Sequence, residues 1–247
     1  MLGSRGRLLV LLGCVAVVLA TAWYAGSRFD PPATAPPAGT VRLGPEPGED
    51  VAAYLARLPA ELPAPGTEAL ALVQLTAEMT PAEAADLAGV PAAGSSGNGP
   101  DGGGQAITAA GARLASVVFH VPMPRVQSAL RFVAVEPDPS PVAALDRARE
   151  HARFLADADA TRLTDRQAAV ASAEAVALTD PACRCVLAVV VAADRAGMDA
   201  LAARPGVRAV HAAPAGVTAP ELALSPLLPE QHARADPVPD DGPVPAG

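Results

Sequence analysis

Two short, nearly continuous apolar segments constrain the fold of this chain most strongly. They run from Glu68 to Leu75 and from Val186 to Ala193. An apolar run of this length without polar alternation is typical of a central strand that is buried on both faces. We therefore expect a sheet whose middle strands are covered on each side by other elements.

A helix signal follows each of these runs. After the first, Thr80 is a favourable N-cap, Pro81 takes the first helical position, and Glu83 lies three residues beyond the cap. This is the capping-box arrangement, in which two side chains satisfy backbone amides at the helix start. After the second, Met198 and Leu201 have the spacing of one buried helical face. Each run is therefore predicted to be a strand that leads into a helix.

Each predicted helix is followed by another strand candidate that ends at a proline, from Val117 to Pro122 and from Arg208 to Pro214. The pattern predicts two strand–helix–strand units, over about 68–122 and 183–214. Two such units pair their strands in one mixed sheet with helices on one face, so the expected class is α/β (α+β), a duplicated ferredoxin-like sandwich. The glycine-rich segment 91–106 has no counterpart in the second unit and is interpreted as a flexible insertion.

The segment 141–179 is predicted to be a helical hairpin inserted between the two units. Ser140 and Thr164 are the expected N-caps of its helices, and a break is expected near 159–164. We expect the hairpin to project from the sandwich.

Shorter elements and linkers complete the expected organisation. A leading helix is predicted within 49–58 and an edge strand at 131–135, which gives an exported domain over 49–217. The flanking segments 26–48 and 218–247 are rich in proline, so the first is predicted to be a linker and the second a disordered tail.

An uncharged apolar segment occupies residues 8–25 near the N-terminus. As a helix it would be roughly 27 Å long, close to the hydrocarbon thickness of a bilayer. Arg5 and Arg7 precede it, and Trp23 and Tyr24 lie at its far end, where amphipathic rings favour the interface. We predict a single transmembrane helix with a cytoplasmic N-terminus and an extracytoplasmic domain.

Two other interpretations of the N-terminus stay open. The segment Ala20 to Ala22 fits the small-residue pattern of a signal peptidase site, which would make 1–22 a cleaved signal peptide. Alternatively, Cys14 follows a lipoprotein-like sequence, although the apolar run continues well beyond it. In the favoured interpretation residues 1–7 are a short cytoplasmic segment in front of the anchor.

The charge balance argues against nucleic acid as a partner. The formal net charge is -8 and all 18 basic residues are arginine. Binding to a phosphate backbone requires a clustered positive face that releases counterions, so we expect no nucleic-acid partner for so acidic a chain.

Several short motifs give this chain a resemblance to uncharacterised membrane-anchored proteins of actinobacteria. Besides the N-terminal span and the proline-rich spacer, they are the segments Val121 to Gln127, Cys183 to Val186, Arg204 to Arg208 and Leu227 to Gln231. The resemblance implies a membrane anchor and an exported domain. It implies no mechanism, because that family has no assigned activity.

Cys183 and Cys185 are the most specific candidate for chemistry. In a strand, residues i and i+2 point to the same face, so the two thiols would lie side by side. Their Cα atoms would be roughly 6.5–7 Å apart, at the upper limit for an unstrained disulfide. The alternatives are two buried structural cysteines, a disulfide within or between chains, and metal or redox chemistry.

His120 and His211 occupy equivalent positions in the two predicted units, so a pseudo-twofold axis would bring them near one another. With Cys183 and Cys185 they would supply the ligand types of a tetrahedral zinc site. The usual paired spacing of zinc ligands is absent, and histidines at solvent-facing strand ends explain the same pattern. No cofactor is expected.

No nucleophile, base and orienting acid stand in a recognisable local context. The helical insertion carries carboxylates that are expected to form a solvated charged face: Asp146, Glu150, Asp157 and Asp159. The leading hypothesis is therefore a non-catalytic envelope protein that binds another protein. The alternatives are a thiol- or metal-dependent activity at Cys183 and Cys185, and a protease-prosegment-like or inhibitor-like module.

Overall fold

A computed structural model describes residues 40–88 and 112–245 of the chain, which belong to one compact unit. The predicted membrane span at 8–25 and the predicted insertion at 91–106 lie outside these ranges. None of the helices in the described ranges is both long and apolar enough to cross a bilayer.

The described residues form strands, α-helices and two short 3-10 helices. The strands are β1 (Val41–Leu43), β2 (Ala69–Met79), β3 (Arg113–Phe119), β4 (Arg131–Ala134), β5 (Val186–Ala193), β6 (Val207–Ala212) and β7 (Leu222–Leu224). The helices are α1 (Val51–Arg57), α2 (Pro81–Ala88), α3 (Pro141–Arg162), α4 (Asp165–Ala177) and α5 (Arg195–Ala202), and the 3-10 helices span Leu58–Ala60 and Ala219–Glu221.

The strands form a five-stranded antiparallel sheet and a two-stranded parallel sheet, so the domain is a mixed α/β structure. The larger sheet has the order β4-β3-β5-β2-β6, and the smaller one pairs β1 with β7. Because β5 is antiparallel to both β2 and β3, those two strands run parallel to each other with β5 between them. By the same reasoning β5 and β6 run parallel with β2 between them.

Local hydrogen bonds explain where the helices begin. The predicted capping box is present, since the amide of Thr80 donates to Glu83 and the amide of Glu83 donates to the Thr80 hydroxyl. Ser140 and Asp194 accept from backbone amides at the starts of α3 and α5. Thr164 is the N-cap of α4, as predicted, but its side chain makes no cap hydrogen bond.

Both faces of the central strands are buried, as their continuous apolar sequences predict. On one face Val73 and Val189 belong to the main core, which the helices α2 to α5 complete. On the other face Leu72 and Val190 pack with Leu43 of β1 in a second cluster. The larger sheet therefore lies between a helical layer and the small β1-β7 sheet.

The hairpin of α3 and α4 lies in the helical layer and does not project from it. Leu145, Ala148 and Ala152 of α3 are buried in the main core, as is Val170 of α4. These small side chains form an apolar stripe on each helix, and burying that stripe against the sheet removes it from water. The predicted break is present, because α3 ends at Arg162 and α4 begins at Asp165.

The predicted disordered tail is wrong over the part of 218–247 that the structure describes. Leu227 is fully buried, and β7 pairs with β1, which itself lies in the predicted 26–48 linker. Arg208 of β6 donates to the carbonyl oxygens of Leu228 and Gln231. Proline prevents regular secondary structure, but it leaves carbonyl oxygens and apolar side chains available for tertiary contacts.

Candidate functional site

The C-terminal ends of β2 and β3 meet the start of β5 at one end of the larger sheet. Met79 and Phe119 both pair with Val186. Just beyond them, the amide of Cys185 donates to the carbonyl oxygen of Met79 at 3.1 Å, and the amide of His120 donates to that of Cys185 at 2.8 Å. This end of the sheet therefore brings His120 and the cysteine pair together.

Cys183 and Cys185 form a disulfide, with their Cα atoms 5.3 Å apart. The expectation that both residues lie in a strand is wrong, because β5 begins at Val186 and a turn precedes it. The bent backbone shortens the Cα separation below the value for extended chain, which brings it into the usual disulfide range. Cys185 is buried, whereas Cys183 is half-buried.

His120 is held by a carboxylate at the end of β2. Its Nδ1 lies 2.9 Å from Oε1 of Glu78, and the two side chains are only 6% and 12% exposed. In the neutral ring Nδ1–H donates to Glu78, so Nε2 carries the free lone pair. Nε2 has no hydrogen-bond partner among residues 40–88 and 112–245.

A cavity of about 470 Å³ adjoins His120. Its walls come from the β3–β4 loop and from the C-terminal segment, and most of its lining is apolar: Pro122, Met123, Pro124, Val126, Val238 and Pro239. Arg125 and Glu230 are the charged residues at this cavity. The size falls within the range of small-ligand sites.

His211 does not join His120, so the expected meeting of the two histidines is wrong. His211 pairs with Leu72 near the start of β2, whereas His120 contacts Glu78 near its end. Six residues of extended strand separate those two positions, which is roughly 20 Å. The cause is strand direction, because β3 runs parallel to β2 and β6 runs antiparallel to it.

His211 lies instead in a buried polar network. Its Nδ1 accepts a hydrogen bond from the amide of Gly44 at 2.9 Å and faces the Tyr54 hydroxyl at 3.1 Å. The ring proton therefore belongs on Nε2, which lies 3.3 Å from Oε2 of Glu61. Desolvation by burial lowers the pKa of His211, against the opposing attraction of Glu61.

Tyr54 and Gln74 extend this network to the C-terminal segment. The Gln74 amide donates to the Tyr54 hydroxyl at 2.6 Å, and its oxygen accepts from the amide of Leu227 at 2.8 Å. Burial raises the pKa of Tyr54 to about 12, so the phenol stays protonated. The network therefore ties β6, α1, β2 and the C-terminal segment together.

A buried ion pair between Arg131 and Glu174 was not predicted from the sequence. The Nε of Arg131 lies 2.9 Å from Oε2 of Glu174, and its Nη1 lies 3.0 Å from Asp159. Glu174 also accepts from the amide of Ala129. These contacts fasten the helical hairpin to the start of β4, and no local pattern in the sequence distinguishes the residues that make them.

The other carboxylates named from the sequence lie on the surface of α3, as expected. Asp146, Glu150 and Asp157 are each about half exposed and pair with arginines of the same helix. The pKa of Glu150 is lowered, mainly by its hydrogen bond with the Arg153 side chain. Pairs of this kind contribute little to stability.

The outer edge of β4 is open among the described residues. The amide of Val135 donates to Ala115 of β3, so Val133 and Arg131 bond inward in the alternating antiparallel pattern. The amides and carbonyls of Phe132 and Ala134 therefore point away from β3. The Phe132 side chain is 47% exposed on the face opposite the helices.

Within the two described ranges, no group of three histidine, cysteine, aspartate or glutamate side chains is arranged to hold a metal ion. The predicted four-ligand set is separated, since His211 is remote and the cysteines are bonded to each other. No protein family, curated protein or solved structure matches this chain.

Proposed function

We propose that this chain is a non-catalytic, membrane-anchored extracytoplasmic protein that binds an extended segment of another envelope protein along the edge of β4. Residues 8–25 are the proposed anchor, with the N-terminus in the cytoplasm. The strand order β6-β2-β5-β3 and the two split strand–helix–strand units support a ferredoxin-like architecture for the exported domain, with β4 added at one edge.

The open edge of β4 carries this proposal. Phe132 and Ala134 present two amides and two carbonyls outward, which is the hydrogen-bonding pattern that an added strand completes. The exposed ring of Phe132 offers an apolar contact for the side chains of that strand. The guanidinium of Arg131 is neutralised by Glu174, so this residue adds no unpaired charge to the edge.

The short length of β4 favours an extended segment over a second copy of this chain. Four residues give roughly 13 Å of strand. Stable interfaces between globular proteins typically bury more than about 1,000 Å². Pairing two copies along so short a strand would bury much less than this area. An extended segment gains its affinity from the main-chain bonds and from one or two side-chain contacts.

Crosslinking and affinity capture from envelope fractions test this proposal. The full chain should enrich a reproducible partner, and Ala134→Pro should lose it, because proline removes an outward amide without removing a ladder bond to β3. Phe132→Ala should weaken capture as well. Phe154→Ala is the matched control, since Phe154 is 64% exposed on α3 and far from this edge in sequence.

Two outcomes would contradict the proposal. Capture that Ala134→Pro leaves unchanged would exclude the edge of β4 as the binding surface. A concentration-dependent dimer that Ala134→Pro abolishes would identify a second copy as the occupant and exclude the proposed partner.

The disulfide between Cys183 and Cys185 supports a second candidate, a thiol-dependent activity. Cys183 is half-buried and therefore the more accessible sulfur for a thiol–disulfide exchange partner. Thiol titration and metal analysis of the purified chain test this candidate, and cysteines that resist reduction under native conditions and bind no metal would exclude it.

A further inference from the structure

The cavity beside His120 is separate from the edge of β4, because none of its lining residues belongs to that strand. The β3–β4 loop forms one wall and the segment around Val238 and Pro239 forms the other. Gly242 keeps these walls together, because its amide donates to the carbonyl oxygen of Arg125 at 2.7 Å. The side chains of Arg125 and Asp241 also form an ion pair.

His120 supplies one oriented polar atom to this cavity. Glu78 fixes the ring through Nδ1, and the residue as a whole is only 5% exposed. Nε2 has no partner among the described residues, and it is accessible to solvent, since it is not among their buried unpaired atoms. A ligand that donates a hydrogen bond to Nε2 would satisfy it.

The remaining walls favour an aromatic ring. Pyrrolidine rings of Pro122, Pro124 and Pro239 present C–H groups, and Met123 presents a polarisable thioether. Thioethers make favourable contacts with aromatic rings, and flat apolar walls bury a ring well. An anion is disfavoured, since Arg125 of the lining is already paired with Asp241 and Glu230 adds a carboxylate.

We propose that this cavity binds a phenol whose ring lies between the prolines and Met123 and whose hydroxyl donates to Nε2 of His120. A phenol meets both requirements of the site, because it combines an apolar ring with one donor. Its source is either a tyrosine side chain of a peptide or a free phenolic molecule, which share this chemistry.

Ligand titrations of the full chain, followed by the side-chain nitrogen resonances of histidine, test the proposal. We expect p-cresol to bind in the millimolar range or tighter and to shift Nε2 of His120. The donor-free analogue 4-methylanisole should bind about three- to tenfold more weakly, the range expected for the loss of one hydrogen bond. Two amino-acid amides distinguish a peptide source from a free phenol. A site open to a peptide should bind N-acetyltyrosinamide with an affinity equal to that of p-cresol, and more tightly than N-acetylphenylalaninamide. A site for a free phenol should bind p-cresol more tightly than N-acetyltyrosinamide.

Variants separate the proposed contact from general effects on folding. His120→Phe should remove the preference for p-cresol over 4-methylanisole, whereas His120→Gln, which retains an acceptor, should keep part of it. His151→Phe changes an exposed histidine on α3 and should leave the preference intact. Equal affinity for the two probes in the unmodified chain, a preference that survives His120→Phe, or no binding of either probe would each overturn the proposal.

Discussion

The Nδ1 atom of His211 accepts a hydrogen bond from the backbone amide of Gly44 at 2.9 Å, across 167 positions of sequence. This bond joins the edge strand β6 to the end of β1, which pairs with β7. Because Nδ1 is an acceptor here, the native fold requires the neutral ring. The contact therefore links the protonation of one histidine to the packing of the small sheet.

Stability should fall with acidification through His211. Burial lowers the pKa of this residue in the folded chain from its ordinary value of 6.5, so the unfolded chain binds the proton more readily. The stabilising contribution is fully present above about pH 6.5 and is lost as pH falls from there through the lowered folded value. Urea unfolding at a series of pH values measures this, and His211→Gln should flatten the profile in that window. The exposed His232 provides the control His232→Gln, and an unchanged profile in both variants would contradict the assignment.

Gly44→Ala should destabilise the fold strongly. Gly44 has a φ of 129°, and an added Cβ would lie 1.9 Å from the carbonyl oxygen of Ser225. Backbone strain and steric overlap together should cost about 2–4 kcal/mol in the free energy of unfolding. Gly216→Ala is a matched control with a φ of 85° and open space around the added atom, so it should cost only about 1 kcal/mol. Equal losses in the two variants would show that the close approach of Ser225 does not matter.

The buried pair of Arg131 and Glu174 should show strong coupling. Arg131→Met leaves the buried carboxylate of Glu174 without its cation, so this change alone should cost about 3–5 kcal/mol. Glu174→Leu leaves Arg131 its contact with Asp159, so it should cost less. The double variant should recover most of that loss, because two apolar side chains replace the pair. A double-mutant cycle by chemical denaturation measures the coupling, and the surface pair of Arg153 and Asp157 on α3 should give only about 0.3–0.5 kcal/mol. Additive losses at Arg131 and Glu174 would contradict the predicted coupling.

Removing the disulfide should affect stability only slightly. Cys183 and Cys185 close a loop of three residues, and the chain-entropy relation gives such a short loop about 1.6 kcal/mol. The double replacement by alanine should therefore lower the melting temperature by roughly 3–6 °C. Differential scanning calorimetry of the variant and of the reduced parent chain measures this. A loss of cooperative unfolding would show that the disulfide holds more of the fold than its own turn.

Local patterns in the sequence predicted the elements that depend on neighbouring residues. The apolar run that begins at Val186 is strand β5 with the predicted bounds, and the capping box of Thr80 and Glu83 starts α2. These features depend on hydrogen bonds within a few residues and on the periodicity of apolar side chains. The predicted class, a mixed α/β domain, follows from the same signals.

The candidate site depended on relationships that no local pattern contains. Equivalent positions in two similar units led us to expect His120 and His211 together, yet the opposite directions of β3 and β6 place them at opposite ends of β2. The pairing of His120 with Glu78 crosses 42 positions, and the turn at Cys185 depends on its bond to Met79.

Sequence alone determined the central strands and the helices that pack on them, because propensity, capping and periodicity act over one or two turns of chain, whereas β1 and β7 lie in segments predicted to be linker and tail. Tertiary structure decided that Leu227 is buried although its segment is rich in proline, and that Arg131 meets Glu174. Both outcomes follow from the order and direction of strands that are distant in sequence. Pairing between such strands is selected by the burial of the whole sheet, and that selection determines which polar side chains meet.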